Sequence, residues 1–216
     1  KRKDYAPKAF LLVAAVTALF LLSLNGSLSI AGALVLILIF ALYIAENVRS
    51  AKDNVSENTD ERPSTDKKSV ITNIFKVVVG AAGIVAGSQL LVNNGSKIAA
   101  SWGVSEAIIG VTIVAIGTSL PELVTAITAV VKKQTSMSVG NVIGANVIDT
   151  TLILAVCSFV YGGKLPVSLQ NIYLDFPVAI LVSLIAAVPT VICKKFSRWQ
   201  GVVMLLIYIA SLLIVT

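Results

Sequence analysis

An all-α integral membrane protein of about seven transmembrane helices is the fold class this sequence predicts, and three observations predict it. Of 216 residues, 56% are hydrophobic and 13% charged, with a mean hydropathy of +0.92. A soluble domain has about half and about a quarter. The apolar residues gather into runs near the ~20 residues that carry a helix across a bilayer. These runs lack the roughly ten-residue alternating segments of outer-membrane strands, so a helical bundle follows.

The runs place spans at 5–24, 27–45, 74–92, 107–131, 138–161, 174–193 and 201–215. The first follows Lys1, Arg2 and Lys3 and carries Lys8 near its start, and nothing like a cleavable signal peptide precedes it. Because the chain begins with Lys1 rather than Met, it is expected to be a piece of a longer polypeptide. The second span follows Asn25-Gly26-Ser27. A second such triplet, Asn94 to Ser96, follows the third, and both are read as turns although they also fit the glycosylation pattern. Residues 48–69 form the one extended polar segment, a linker of mixed charge with Pro63. Its acids Asp53, Glu57, Asp60, Glu61 and Asp66 lack the glycine turn of a calcium loop. The chain thus divides into two helices at 1–47, the linker, and a five-helix block at 70–216.

Small residues stand in stripes at Gly80, Gly83 and Gly87 and at Gly140 and Gly144, a spacing that lets helices approach closely. Tyr161 and Trp199 lie at span ends, as interfacial anchors do. Cys157 and Cys193 fall in apolar runs and read as small buried thiols rather than a disulfide framework or metal site.

Sorting the 17 basic residues by these spans leaves 15 on one side, with only Lys97 and Lys164 on the other. The positive-inside rule makes the first side cytoplasmic, with Lys1 and the linker inside and the C-terminus outside. The net charge of +6 therefore reports topology. No basic helix or aromatic-basic platform suggests nucleic acid, so the bilayer itself is the expected partner.

Chemistry concentrates in 117–149, GTSLPELVTAITAVVKKQTSMSVGNVIGANVID. Asp149 is the twelfth residue of its span, close to the bilayer midplane, and Glu122 lies within about 5 Å of the middle of its own. A carboxylate at that depth costs a few kcal/mol at least, and every basic residue falls near a span end. The remaining structural explanation is that both acids are protonated and hydrogen-bonded, since burial disfavours the charged form. A cation is the alternative. Pro121 has no N–H for the carbonyl of Gly117, so the turn there is expected to open and offer backbone oxygen. Thr118 and Ser119, four and three residues before Glu122, add hydroxyls on its face if the helix persists, and Asn146 adds an amide oxygen beside Asp149. An all-oxygen set suits Na⁺, Ca²⁺ or Mg²⁺ rather than a soft metal.

At these residues the sequence resembles a known family. VTIVAIGTSLPEL at 111–123 followed by GNVIGANVID at 140–149 is similar to the α-repeat signature of the cation/Ca²⁺ antiporter superfamily, particularly the microbial Na⁺/Ca²⁺ exchangers. GVSEAIIG at 103–110 and SRWQG at 197–201 extend the likeness. The resemblance implies ten helices in two five-helix repeats of opposite orientation. The α-repeat motif at 111–150 would lie in the second repeat, and the first two spans would close the first.

The resemblance further implies an antiporter, not an enzyme, in a prokaryotic plasma or inner membrane, exchanging Na⁺ for Ca²⁺ by alternating access and using no cofactor. Glu122 would be a central metal ligand, Asp149 would line the site, Thr118 and Ser119 would give hydroxyls, and Ala115 a backbone carbonyl. Ala145 departs from the family, which often carries Ser there. The proton-coupled form of the motif differs from GTSLPE, and the chain has no His. Potassium-dependent members carry Asp at the position of Asp149, so K⁺ cotransport stays open, as does a proton-coupled antiporter or a non-transporting assembly subunit. Nothing before Val70 repeats the motif. The first α-repeat is expected from upstream polypeptide or another chain.

Overall fold

The computed structural model describes residues 2–57, 67–193 and 196–215. The chain is helical almost throughout, in the order α1 (Arg2–Ser23), β1 (Ser27–Ser29), α2 (Ile30–Glu57), α3 (Lys67–Ser101), α4 (Glu106–Ile109), α5 (Ala115–Thr118), α6 (Leu120–Val131), α7 (Thr135–Ile148), α8 (Leu154–Val160), β2 (Lys164–Pro166), α9 (Phe176–Cys193) and α10 (Arg198–Val215). Among the described residues three π-helical turns, Gly110–Val114, Asp149–Ile153 and Asn171–Asp175, interrupt the apolar runs.

Tyr5–Ser23, Ile30–Lys52, Val70–Ser101, Met137–Val160 and Asn171–Cys193 are each long and apolar enough to cross a bilayer. The expected fourth span is a bent pair, Thr112–Thr118 with Leu120–Val131, and the expected seventh is the shorter apolar helix Arg198–Ile214. The polar segment at 48–69 begins as helix, since α2 runs on to Glu57. Of its acids, Asp60, Glu61 and Asp66 lie outside the described residues.

Two compact units divide the chain. One holds residues 1–54 and 143–216. Its core joins Leu19, Leu28, Ala33, Leu36 and Ala155, with Phe176 and Leu165 packed against it. The Asn25-Gly26 turn forms as expected, with Gly26 at φ 75° and its N–H on Ser23 O at 3.0 Å. It leads into an antiparallel ribbon that pairs Ser27 with Pro166 and Ser29 with Lys164. This ribbon takes the first residues of the expected second span. Ser158 Oγ donates to Leu28 O at 2.9 Å and ties α8 to it.

In the same unit Pro189 lies inside α9 and has no N–H for Ile185 O, four residues earlier. Gln200, 1% exposed, fills that gap from α10. Its Nε2 donates to Ile185 O at 2.8 Å and Thr190 Oγ1 at 3.2 Å, while its Oε1 accepts Ser197 N–H at 2.8 Å. Gln200→Leu leaves that carbonyl unsatisfied in an apolar setting, and should lower stability by about 1–3 kcal/mol. The thermal midpoint in detergent measures this, and an unchanged midpoint would show that the clip contributes nothing.

The second unit, residues 55–142, packs α3 against α4, the Gly110–Val114 turn, α5 and α6. Here the second Asn-Gly-Ser triplet is no turn but part of α3. Asn94 Nδ2 donates back to Leu90 O at 2.8 Å, and a Cβ on Gly95 would stand 3.2 Å from Ile113. The glycine thus serves close approach of the two elements instead of chain reversal. By contrast, a Cβ built on Gly80, Gly83 or Gly87 would meet no other element within 4 Å among the described residues. Cys157 and Cys193 are free and exposed, not buried as expected. In a membrane-spanning helix, lipid supplies the apolar surroundings that a soluble protein finds only in its core.

Candidate cation site

The GTSLPE segment is where the fourth span breaks. Thr112–Thr118 and Leu120–Val131 meet at 49°, with Ser119 at the corner at φ −89° and ψ −1°. The cause is local, because Pro121 cannot continue the ladder to Gly117. The freed oxygen does not stay open. Backbone N–H groups at the break bond the carbonyls of Ala115, Ile116 and Gly117, with Ser119 N–H at 3.3 Å from Ala115 O and 3.1 Å from Ile116 O. Thr118 Oγ1 donates to Ala115 O at 3.0 Å. Ala115 O thus accepts two hydrogen bonds and would meet a cation only by exchanging one. The hydroxyl of Thr118 keeps its lone pairs as acceptors.

The bend alters the expected alignment of Thr118 and Ser119 with Glu122, because helical geometry does not persist through Ser119. Both side chains are exposed and Glu122 is half-buried in the first turn of α6. Its Oε2 is buried with no hydrogen-bond partner among the described residues. A charged oxygen left so costs several kcal/mol unless a counter-charge arrives.

Two neighbours of Glu122 were not among the expected site residues, although Asn141 lies within the 140–149 motif. Thr125 Oγ1 donates to Pro121 O at 3.0 Å and Glu122 O at 2.9 Å. Asn141, from α7, donates through Nδ2 to Thr125 Oγ1 at 2.8 Å and to Glu122 O at 3.4 Å. The route to this contact is the tight turn after α6. There Lys133 takes φ 59° and Gln134 N–H bonds Ala129 O at 2.7 Å.

A cleft of about 270 Å³ opens beside the bend. It is lined by Val85, Ser88, Gln89, Val92 and Asn93 of α3 with Gly117, Thr118 and Pro121, and its surface is mainly apolar. Its polar residues on α3, the Ser88-Gln89 pair and Asn93 just past the expected span, were not singled out in the sequence because they belong to no motif.

Asn146 and Asp149 belong to the other unit, exposed on its surface. Asp149 opens the π-helical turn Asp149–Ile153, and Thr150 Oγ1 donates to Asn146 O at 2.7 Å. Such π turns recur at functional sites because the wider turn displaces backbone oxygens from the regular ladder. No cluster of three or more His, Cys, Asp or Glu occurs among the described residues. A site here would therefore be built from few carboxylates and many neutral oxygens.

Residues 72–216 match the sodium/calcium exchanger protein family. The chain belongs to that family. It is a multi-pass membrane protein of a transporter family rather than an enzyme family. This exchanger-family chain is 32% identical over 178 residues to the membrane protein MJ0091 of Methanocaldococcus jannaschii, covering 82% of this chain and 55% of that protein. It is 36% identical over 142 residues to the sodium/calcium exchanger MaX1 of Methanosarcina acetivorans, covering 66% and 40%. A solved structure of the sodium-calcium exchanger NCX_Mj, soaked with zero Na⁺ and Ca²⁺, superposes with a TM-score of 0.76 at 28% identity, covering 97% of this chain and 65% of that one. The chain thus spans about half the length of the curated relatives it matches.

Proposed function

We propose that this protein is a secondary active antiporter in which Na⁺ moving down its gradient drives Ca²⁺ the other way through alternating exposure of one carboxylate site. The observation that carries the reading is the buried Oε2 of Glu122, without a partner among the described residues, at a bend in a membrane-spanning segment. A buried anion without a protein partner is a place for a cation. Membership of an exchanger family and likeness to MaX1 support Na⁺ and Ca²⁺ as the ions. Glu122 is the central ligand in this proposal, with Thr118, Ser119, Ala115, Asn146 and Asp149 as the other oxygen donors. Competition between the ions follows, because both need the same carboxylates.

Ca²⁺ takes about six to eight oxygens, and antiporter folds of this kind pair two inverted repeats around the midplane. The proposal therefore includes a first α-repeat from polypeptide outside these residues, in keeping with the 55% and 40% of MJ0091 and MaX1 that the chain spans. The 15 to 2 distribution of basic residues supports a cytoplasmic Lys1 end and 48–69 segment.

The test is Ca²⁺ tracer flux in vesicles holding the protein as its native gene expresses it. An imposed Na⁺ gradient should drive uptake and protease added to the cytoplasmic face should cut within 48–69. Flux that follows a pH gradient without Na⁺ would replace the reading with proton coupling, and no Ca²⁺ binding at all would leave an assembly subunit.

A further inference from the structure

We propose that Asn141 is a positioning residue for the Glu122 carboxylate, acting through Thr125 and the first turn of α6. This rests on the cation-site reading above and adds to it a residue that touches no ion.

The first turn of α6 has no side-chain cap. Ser119 at its N-cap makes no side-chain capping bond, and Pro121 brings no N–H. The 49° bend also separates it from the helical ladder of α5. Its backbone bond from Leu123 N–H to Ser119 O at 3.0 Å is joined by the side-chain relay already described. Thr125 Oγ1 reaches back to the carbonyls of Pro121 and Glu122, and Asn141 Nδ2 feeds that hydroxyl at 2.8 Å. The same amide lies 3.4 Å from Glu122 O. Thr125 donates its one hydrogen to these carbonyls while its oxygen accepts from the amide of Asn141. One side chain of α7 therefore fixes the backbone from which the carboxylate is aimed.

A glutamate has three rotatable side-chain bonds, so its carboxylate is aimed well only if its Cα is held well. Groups that orient a metal ligand without touching the metal typically contribute about 10- to 100-fold in affinity. If Asn141 were only an interhelical tie, its loss would lower the thermal midpoint slightly and leave ion dependence alone.

The two roles separate in a carbodiimide-labelling experiment on the full protein in detergent. Modification of the Glu122 carboxyl is followed by mass spectrometry while Ca²⁺ or Na⁺ is titrated, with the thermal midpoint recorded alongside. In the wild type, cation should protect Glu122. In Asn141→Leu and Thr125→Val the half-protecting Ca²⁺ concentration should rise about tenfold or more, whereas Thr125→Ser, which keeps the hydroxyl, should stay near wild type. The Thr125 pair decides the matter if Asn141→Leu does not fold. Protection in the wild type with an unshifted titration in the variants overturns the positioning role and leaves the cation site standing. Absence of protection by either ion in the wild type overturns both.

Discussion

Glu122→Gln should abolish Na⁺-driven Ca²⁺ uptake. The substitution keeps the shape and an oxygen and removes only the charge, so it asks whether charge is what the site needs. Stranding a charge by removing its partner costs about 3–5 kcal/mol, and with 1.4 kcal/mol to each factor of ten this means a loss of at least a hundredfold in cation affinity. A second readout guards against misfolding. Without cation the Gln variant should be at least as stable as wild type, because the uncompensated oxygen Oε2 is gone. With Ca²⁺ at about a hundred times its Kd the wild type should gain roughly 2.7 kcal/mol by mass action and the variant nothing. Glu122→Asp, which keeps the charge and withdraws it by one methylene, should fall between. Wild-type flux in the Gln protein would remove Glu122 from the site.

Gly117→Ala should be the most damaging single-methyl addition in the chain's second unit. A Cβ there would stand 2.0 Å from Val92 Cγ2, far inside contact distance, in the strip where α5 crosses α3. Val92 is β-branched and stiff at χ1, so it cannot swing clear within a helix. Overpacking of this kind costs about 1–3 kcal/mol, and it would also move Thr118 and the mouth of the cleft. The compensating change is specific. Val92→Ala removes Cγ2 and leaves Val92 Cβ at 3.4 Å, an ordinary contact. The double variant should therefore recover most of the thermal midpoint and of the flux that Gly117→Ala loses. A double variant no better than the single would show that Gly117 is needed for backbone reasons at the bend instead.

How much of this was legible beforehand differs from residue to residue. Pro121 announced the break, and the break is there, because a missing N–H is a property of the residue itself. What Pro121 could not announce was the fate of the Gly117 carbonyl, which neighbouring N–H groups take up once the chain turns 49°. Asn25-Gly26 and Asn94-Gly95 are the same dipeptide with opposite outcomes. The second lies within a long apolar helix whose neighbour needs a glycine to approach, and packing overrides turn preference there. The β1–β2 ribbon and the Gln200 clip join residues far apart in the chain, and nothing local marks either.

Some things the sequence alone determined. The helical membrane class follows from runs of apolar residues, since in a bilayer each run satisfies its own backbone and needs no partner to be recognised. Family membership follows from contiguous motifs for the same reason. The tertiary structure decided which polar atoms met partners. That Glu122 Oε2 has none among the described residues and that Asn141 holds its backbone depend on the angle of a bend and the return of α7 along α6. These are non-local quantities that spacing cannot encode, because a break in the helix resets which face every later side chain occupies.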